Sequence, residues 1–288
     1  MAMIRQMVII VLALLMIGCA QVQTTKSGVV GIERKQSMSV LISSEAMEKA
    51  AHSSYSASLQ EANKSGKLDV DKKQTGKLKV ILDKMIPQVS VFKDEAVNWN
   101  WDVHVVKSDI VNATCAPGGK ITFYSGILDR LKLEDAEIAA VMGHEISHAL
   151  REHSRERMSE ELVKRIGVSV VGAAAKVDTN KLDAVANLVI SLPHSREHES
   201  EADVMGIELA ARAGYDPRAA ISVWKKMSAL GGKQPLQFMS THPAHETRIA
   251  ELEKYMPKVL PLYEETVKQR PKPKGKRRAQ PSRVAGLQ

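Results

Sequence analysis

The chain has 288 residues, of which 44% are hydrophobic and 26% charged, so it is long enough to bury a sizeable core. This composition excludes a disordered chain, and the two cysteines exclude a disulfide scaffold. The net charge of +8 suggests a nucleic-acid or membrane-surface partner, but residues 268–288 hold eight basic and no acidic residues. Because the rest of the chain is then nearly neutral, the charge does not support a nucleic-acid-binding fold.

The first 18 residues are typical of a signal peptide. Arg5 precedes an eleven-residue apolar run, Met7–Ile17, which is short for a membrane span. The four residues Met-Ile-Gly-Cys ending at Cys19 resemble a bacterial lipoprotein box. That resemblance implies cleavage before Cys19 and lipidation of Cys19. Since Ala20 follows, it also implies a periplasmic protein anchored to the outer membrane. An uncleaved anchor helix and a plain signal peptide with a chance cysteine are the alternatives.

The first half of the folded region contains helices followed by strands. Residues 19–36 are polar and are expected to form a tether, and a domain is expected over 37–267. Residues 37–97 have a mostly helical pattern, which includes an amphipathic helix ending at Pro87. Alternating and turn-forming residues then predict a small sheet of three strands. Its segments are expected at 99–105, 110–115 and 121–124.

The second half is predicted to be helical from Leu133 onwards, with a first helix that carries apolar residues up to Leu150. Further helices are expected at 157–175, 180–191, 194–213, 217–229 and 246–255. Pro257 is expected to end the last of them. The basic residues 268–288 are expected to be disordered. The sequence thus predicts an α+β fold that is mostly helical, with a small β-sheet before its central helix.

The most specific motif in the chain is H-E-x-x-H, formed by His144, Glu145 and His148. On a helix the two histidines lie four residues apart on one face, so both imidazoles can bind one metal ion. Glu145 lies beside them, where it can hold a water molecule. A catalytic zinc site needs a third protein ligand and one open position. His153 lies on a different helix face, so the third ligand is sought further along the chain.

Residues 195–206 are dense in metal-ligand types and read S-R-E-H-E-S-E-A-D-V-M-G. Glu197 and Glu199 within this segment are interpreted as part of a solvated helix face. The metzincin pattern is excluded, because Arg151 stands where its glycine and Ser154 where its third histidine would be.

Four motifs between residues 80 and 255 together resemble the family 48 zinc metallopeptidases. They are the H-E-x-x-H motif, the segment 195–206, the strand and Pro-Gly-Gly turn at 112–119, and the H-P-x-x-x-x-R-I segment beginning at His242. The resemblance implies a zincin-like domain that binds one zinc ion, with Glu201 as its third ligand. It also implies that Asp203 orients a ligand histidine, and that His242 and Arg248 line the site and stabilise the oxyanion.

The motifs and the resemblance predict a zinc-dependent metalloendopeptidase in which Glu145 is the general base. Its substrates would be polypeptides, and the resemblance implies misfolded envelope proteins and protein quality control. A zinc-stabilised chaperone or adaptor for outer-membrane assembly, with latent proteolysis, is the alternative. His242 in the fourth zinc position would hold such an enzyme latent. If Cys19 is lipidated, Cys115 is expected to be a small buried residue without a disulfide partner.

Overall fold

One central helix carries the H-E-x-x-H motif and contacts both the small sheet and the later helices. The fold is known from a computed structural model, which describes residues 19–171, 194–230, 237–242 and 247–269. The predicted signal peptide, the predicted helix at 180–191 and the basic residues from 270 onwards lie outside the described residues.

The first half of the described chain contains β1 (Cys19–Val22), β2 (Gln36–Ser39), α1 (Ser44–Lys64), α2 (Lys72–Met85), two 3₁₀ turns (Ile86–Val91 and Asp94–Asn98), β3 (Asp102–Val106), β4 (Ala113–Ala116) and β5 (Lys120–Tyr124). The second half contains α3 (Ser125–Leu131), α4 (Asp135–Leu150), α5 (His153–Val171), α6 (Arg196–Arg212), α7 (Ala219–Ala229), α8 (Gln237–Thr241) and α9 (Arg248–Gln269).

The segment expected to be a tether is folded onto the domain instead. Strands β1 and β2 pair in antiparallel fashion, with Cys19 opposite Ser39. Between them, Val30 and Ile32 are buried in the main hydrophobic core. Gly28 has a φ of +62°, and a Cβ there would lie 2.6 Å from the Glu208 carboxylate. The prediction of a tether over 19–36 is therefore wrong, because its few apolar side chains find partners far away in the sequence.

Helices α1 and α2 lie where the helical pattern predicts them. The Ser43 side chain caps the N-terminus of α1 by accepting from the Ala46 amide. The buried face of α2 contains Leu78, Ile81, Leu82 and Met85, as the amphipathic spacing predicts.

The three predicted strands form one sheet in the order β3-β5-β4. Strand β5 runs parallel to β3 and antiparallel to β4, to which it is joined by the glycine-containing turn. Gly118 and Gly119 in this turn have φ values of +78° and +80°, which side chains with a Cβ rarely adopt. Strand β4 forms one edge of the sheet and contacts α4. The small sheet thus borders the H-E-x-x-H helix directly.

Helices α4 and α6 cross in backbone contact, which brings their ligand-type side chains together. A Cβ on Gly143 would lie 2.7 Å from the Gly206 carbonyl oxygen, and a Cβ on Gly206 would lie 2.7 Å from the His144 amide nitrogen. Only glycine permits this approach at both positions. The glycine that ends the segment 195–206 therefore sets the distance between the two helices that carry the site.

Helix α9 is longer than the sequence predicts. It continues through Pro257 and Pro261 to Gln269, so the expected end at Pro257 is wrong. Leu252, Met256 and Val259 are buried at helical spacing on both sides of Pro257. This packing outweighs the backbone hydrogen bond that each proline removes. Among the described residues, no helix is both long and apolar enough to cross a membrane.

Candidate active site

The two motif histidines converge inside the protein rather than on its surface. His144 and His148 are both buried on α4, and their Nε2 atoms lie 3.0 Å apart. The four-residue spacing that predicts a shared helix face is thereby confirmed.

Glu199, not Glu201, is the glutamate that lies with this pair. Its carboxylate oxygens are 3.6 Å from His144 Nε2 and 3.5 Å from His148 Nε2. The side chain is 0% exposed, so its interpretation as part of a solvated face is wrong, whereas Glu197 is exposed as expected. His144, His148, Glu199 and His242 each offer one donor atom within 4.8 Å of the others. The expected third ligand Glu201 is not part of this group.

The helical phase of α6 explains the difference. Ser195 caps the helix by accepting from the His198 amide, so the whole segment that follows is helical. Residues two apart on a helix point to nearly opposite sides, whereas Glu199 and Asp203, four apart, share a face. The family resemblance implies that Asp203 lies beside a ligand histidine. The spacing from Asp203 was therefore the signal that would have selected Glu199.

This donor set fits a zinc ion. Two imidazole nitrogens and one carboxylate are the ligands of many catalytic zinc sites. Bond lengths of about 2.0–2.1 Å in a tetrahedron correspond to ligand separations of about 3.3 Å. The observed separations of 3.0, 3.5 and 3.6 Å between the three donors bracket this value.

Asp203 lies where it was expected, beside a ligand histidine. Its Oδ1 is 3.0 Å from His144 Nδ1, the ring nitrogen that faces away from the other donors. Arg248 clamps the same carboxylate with two hydrogen bonds of 2.6 Å and reaches Glu199 with a third of 2.6 Å. Arg248 thus fixes two carboxylates of the site, and its guanidinium packs over the Trp224 ring at 3.8 Å. This geometry supports a positioning role rather than the expected contact with an oxyanion.

Glu145 and His242 face each other across the site. Both are buried, and His242 Nε2 lies 3.5 Å from Glu145 Oε1. Within the described part of the chain, Glu145 Oε1 has no hydrogen-bond partner. A buried carboxylate oxygen without a partner is suited to hold a water molecule. His242 Nδ1 lies 3.0 Å from Glu199 and 3.2 Å from His144 Nε2.

Burial and neighbouring charges set the protonation of the carboxylates. Burial alone would raise the pKa of Glu199, but His242, His144 and Arg248 outweigh it and lower the pKa to about 2. Burial would likewise raise the pKa of Asp203, but Arg248 and His144 outweigh it and lower the pKa to about 2. At Glu145 burial prevails and raises the pKa above its usual value. The candidate ligand is therefore ionised, whereas the candidate base binds a proton more readily.

A cavity of about 250 Å³ opens beside the motif. Its walls include Glu145, His148 and His242, and side chains from α1, β4 and β5. Cys115 on β4 lies in this wall as a buried free thiol whose pKa is raised by burial. Its burial agrees with the expectation of a small buried residue.

Glu201 lies behind the site, in a network of its own. Its carboxylate accepts hydrogen bonds of 2.9 Å from Arg151 and 2.7 Å from Arg34, and it lies 3.0 Å from His153 Nε2. Burial would raise the pKa of Glu201, but His153 and the two arginines hold it well below its usual value. Burial also lowers the pKa of His153 to about 3. Sequence reasoning missed this network because Arg34 lies far from the motifs.

An H-E-x-x-H helix, completed by a glutamate from a later helix, defines a site of the metallopeptidase class. The sequence matches peptidase family M48 over residues 72–256, and the chain belongs to this family. The family resemblance drawn from the four motifs is thus confirmed, as is the expected mostly helical fold with small sheets.

Named relatives each match about half of the chain. It is 41% identical to the mitochondrial metalloendopeptidase OMA1 of Arabidopsis thaliana, over 52% of this chain and 30% of that protein. It is 28% identical to the metalloprotease YcaL of Escherichia coli, over 52% of this chain and 59% of that protein. It is 27% identical to the β-barrel assembly-enhancing protease of Yersinia pestis, over 51% of this chain and 33% of that protein. The match spans less than two thirds of each relative.

Proposed function

We propose that this protein is a zinc-dependent metalloendopeptidase whose ligands are His144, His148 and Glu199. The observation that carries the proposal is the convergence of these three buried donors beside Glu145, at the wall of an open cavity. Membership of peptidase family M48 supports the same reaction. Glu199 replaces Glu201, the ligand expected from the resemblance.

A zinc ion held by these residues would polarise the scissile carbonyl and lower the pKa of a water molecule. Glu145 accepts the proton of the attacking water and passes it to the leaving amine, a role that suits its raised pKa. Asp203 and Arg248 hold His144 and Glu199 in place throughout. His242 lies close enough to Glu145 to contact the reacting carbonyl group.

Strand β4 is the proposed binding edge for the substrate backbone. It is an edge strand of its sheet and lines the cavity next to Glu145. An extended peptide can add to such an edge through main-chain hydrogen bonds, which bind many sequences alike. This mode suits a protease that acts on unfolded polypeptides.

The proposed location is the bacterial periplasm, with a lipid on Cys19 that anchors the protein to the outer membrane. The apolar run Met7–Ile17 followed by Gly-Cys supports this location. One relative is named a β-barrel assembly-enhancing protease, which supports envelope proteins as substrates and protein quality control as the role. OMA1 relatives are named mitochondrial, and that location is the competing one. A Cys19→Ser variant expressed in a bacterium should fail to incorporate labelled fatty acid, whereas the parent should incorporate it.

The Glu145→Gln variant tests the proposed reaction. We expect it to bind zinc as the parent does and to cleave an unfolded polypeptide at least 100-fold more slowly, because the proton acceptor is lost. Zinc content and cleavage rate are measured on the same preparation. A variant that cleaves as fast as the parent would show that Glu145 is not the base.

The same variant separates the protease from the alternative, a zinc-stabilised chaperone or adaptor. A chaperone would keep its function in outer-membrane assembly when Glu145 is replaced, since the fold and the ligands remain. A protease would lose it. Rescue of envelope integrity in a strain lacking the protein, by the parent and by Glu145→Gln, distinguishes the two.

Two roles fit the position of His242, and they predict opposite results. If His242 stabilises the oxyanion, its replacement by alanine would lower the rate of cleavage. As a fourth ligand, which its position 3.2 Å from His144 Nε2 permits, it would hold the enzyme latent and alanine would raise the rate. The sign of the change in kcat for His242→Ala decides between them.

A further inference from the structure

The second ring nitrogen of each motif histidine has its own partner, and the two partners differ. His144 Nδ1 lies 3.0 Å from the Asp203 carboxylate, a direct contact. His148 Nδ1 lies 2.8 Å from Nδ1 of another histidine, His153, which is fully buried. His148 is therefore supported by an imidazole where His144 is supported by a carboxylate.

Hydrogen-bond polarity makes this second support a directed chain. A His148 ring that binds metal through Nε2 carries its proton on Nδ1 and donates it. His153 must then accept at Nδ1, which leaves its own proton on Nε2. That atom lies 3.0 Å from a Glu201 oxygen, which can accept its hydrogen bond. Along the chain from His148 through His153 to Glu201, each donor thus faces an acceptor.

Glu201 is held in place by two guanidinium groups. Arg151, at the C-terminus of α4, donates two hydrogen bonds of 2.9 Å to it. Arg34, in the N-terminal segment between β1 and β2, donates two more, of 2.7 and 3.1 Å. Charge-assisted pairs of this fork geometry fix both the position and the orientation of a carboxylate.

Arg34 is itself fixed by a second carboxylate. It donates two hydrogen bonds to Glu156, of 2.7 and 2.9 Å. Gln36 on β2 donates to Glu156 and to the Arg151 carbonyl oxygen, at 2.8 and 2.6 Å. The N-terminal segment is therefore attached to the same group of residues at several points.

We propose that His153 and Glu201 are positioning residues that orient His148 for metal binding, and that Arg34 completes this chain from the N-terminal segment. The inference rests on the proposed zinc site. In this arrangement Glu201 lies behind the metal ligands. The N-terminal segment, which carries Arg34, then helps to hold a metal ligand in place. Loss of any link lets the His148 ring turn away from the ligand position, so that zinc dissociates faster.

The same residues could instead bind a second cation, since donor atoms of His153, Glu156 and His198 lie within 4.8 Å of one another. The contacts of Arg34 argue against this. Its guanidinium already binds the carboxylates of Glu156 and Glu201, where a metal ion would have to bind. This group is therefore not expected to bind a second zinc ion.

The test measures zinc release from the full-length protein to a chromogenic chelator, together with zinc content and the melting temperature of the metal-free form. The variants are Glu201→Gln, Arg34→Gln and His153→Phe, the last of which keeps an aromatic ring but loses both nitrogens. The conservative variant His153→Gln can both donate and accept a hydrogen bond, and it should restore part of the slow zinc release of the parent. Two exposed neighbours, Glu197→Gln and Lys35→Gln, are the matched controls.

We expect His153→Phe and Glu201→Gln to release zinc 10–100-fold faster than the parent, and Arg34→Gln to show a smaller increase in the same direction. Both controls should stay within twofold of the parent. Unchanged release in the first two variants, with only a lower melting temperature, would overturn the inference and leave the proposed zinc site intact. A parent that binds no zinc would overturn both, and two zinc ions per chain would overturn the single-site reading.

Discussion

The supports of the two motif histidines differ in where their residues come from. His144 is held by Asp203 and Arg248, and both lie within the region that matches the family, residues 72–256. His148 is held through His153 and Glu201, and that chain ends on Arg34, outside the matched region. One support is thus contained in the family domain, whereas the other extends to a segment that the family match does not cover.

In the proposed metal site, one candidate ligand is therefore supported by residues far from the motif. The direct support is short and buried, with each atom fixed by α6 and α9. The indirect support has one more link and ends on Arg34, whose side chain is 31% exposed. A change in how the N-terminal segment docks is therefore expected to displace the His148 ring more than the His144 ring.

Removal of the N-terminal segment should have the largest effect on the indirect support. A chain starting at residue 37 lacks Arg34 and the buried side chains of Val30 and Ile32, each worth about 1.5–3 kcal/mol. We expect a loss of roughly 5 kcal/mol in the free energy of unfolding of the metal-free form. A chain starting at Ala20 is the control. Equal denaturation midpoints for the two would mean that the segment is the free tether predicted from its polarity.

Replacement of Arg248 should break the direct support. Arg248→Gln leaves Asp203 and Glu199 buried without their cation, which costs about 3–5 kcal/mol of unfolding free energy. Arg218→Gln is the matched control, because that arginine pairs with Asp216 at a site where its side chain is 62% exposed. Surface pairs contribute only about 0–1 kcal/mol. Similar losses in both variants, measured in urea, would contradict the buried clamp.

Replacement of Arg34 alone should be milder than either change. Glu201 keeps Arg151, and Glu156 keeps Gln36 and His198. We expect Arg34→Gln to lower the unfolding free energy by about 1–2 kcal/mol, and Lys35→Gln to change it by less than about 0.5 kcal/mol. A loss as large as that of Arg248→Gln would mean that the two supports are equivalent.

Acid should reduce the difference between the parent and Arg34→Gln. Burial would raise the pKa of Glu156, but His198 and Arg34 hold it below the ordinary value of 4.5. A lowered folded-state pKa stabilises the protein above pH 4.5, and this stabilisation is lost as the pH falls further. Chemical denaturation at pH 7 and at successive values below 4.5 should show the two free energies approaching each other. A gap that widens in acid would contradict the pairing of Arg34 with Glu156.

Much of the fold and part of the site follow from local patterns. The spacing of His144 and His148, the glycine turn before β5 and the amphipathic face of α2 each depend on neighbours in the sequence, and each prediction is confirmed. The length of α9 beyond Pro257 depends on packing against other helices, which local preference does not contain.

The choice between Glu199 and Glu201 as the candidate third ligand requires helical phase rather than composition. The two are equal as residue types, and only their angles around α6 place Glu199 beside His144 and His148 and Glu201 behind them. The docking of Arg34 depends on contacts more than 100 positions apart, which no local pattern shows. The resemblance to the family indicated α6 as the helix that contributes a candidate ligand, and the structure shows that Glu199 is its glutamate beside His144 and His148.

Anomalous diffraction at the zinc edge, from crystals of the zinc-loaded protein, would locate the metal ion and its ligands. We expect one zinc ion at about 2.0–2.2 Å from His144 Nε2, His148 Nε2 and a Glu199 oxygen. We also expect Glu201 to be hydrogen-bonded to His153 and away from the metal. A zinc ion bound to a Glu201 oxygen, with Glu199 turned away, would contradict the proposed site.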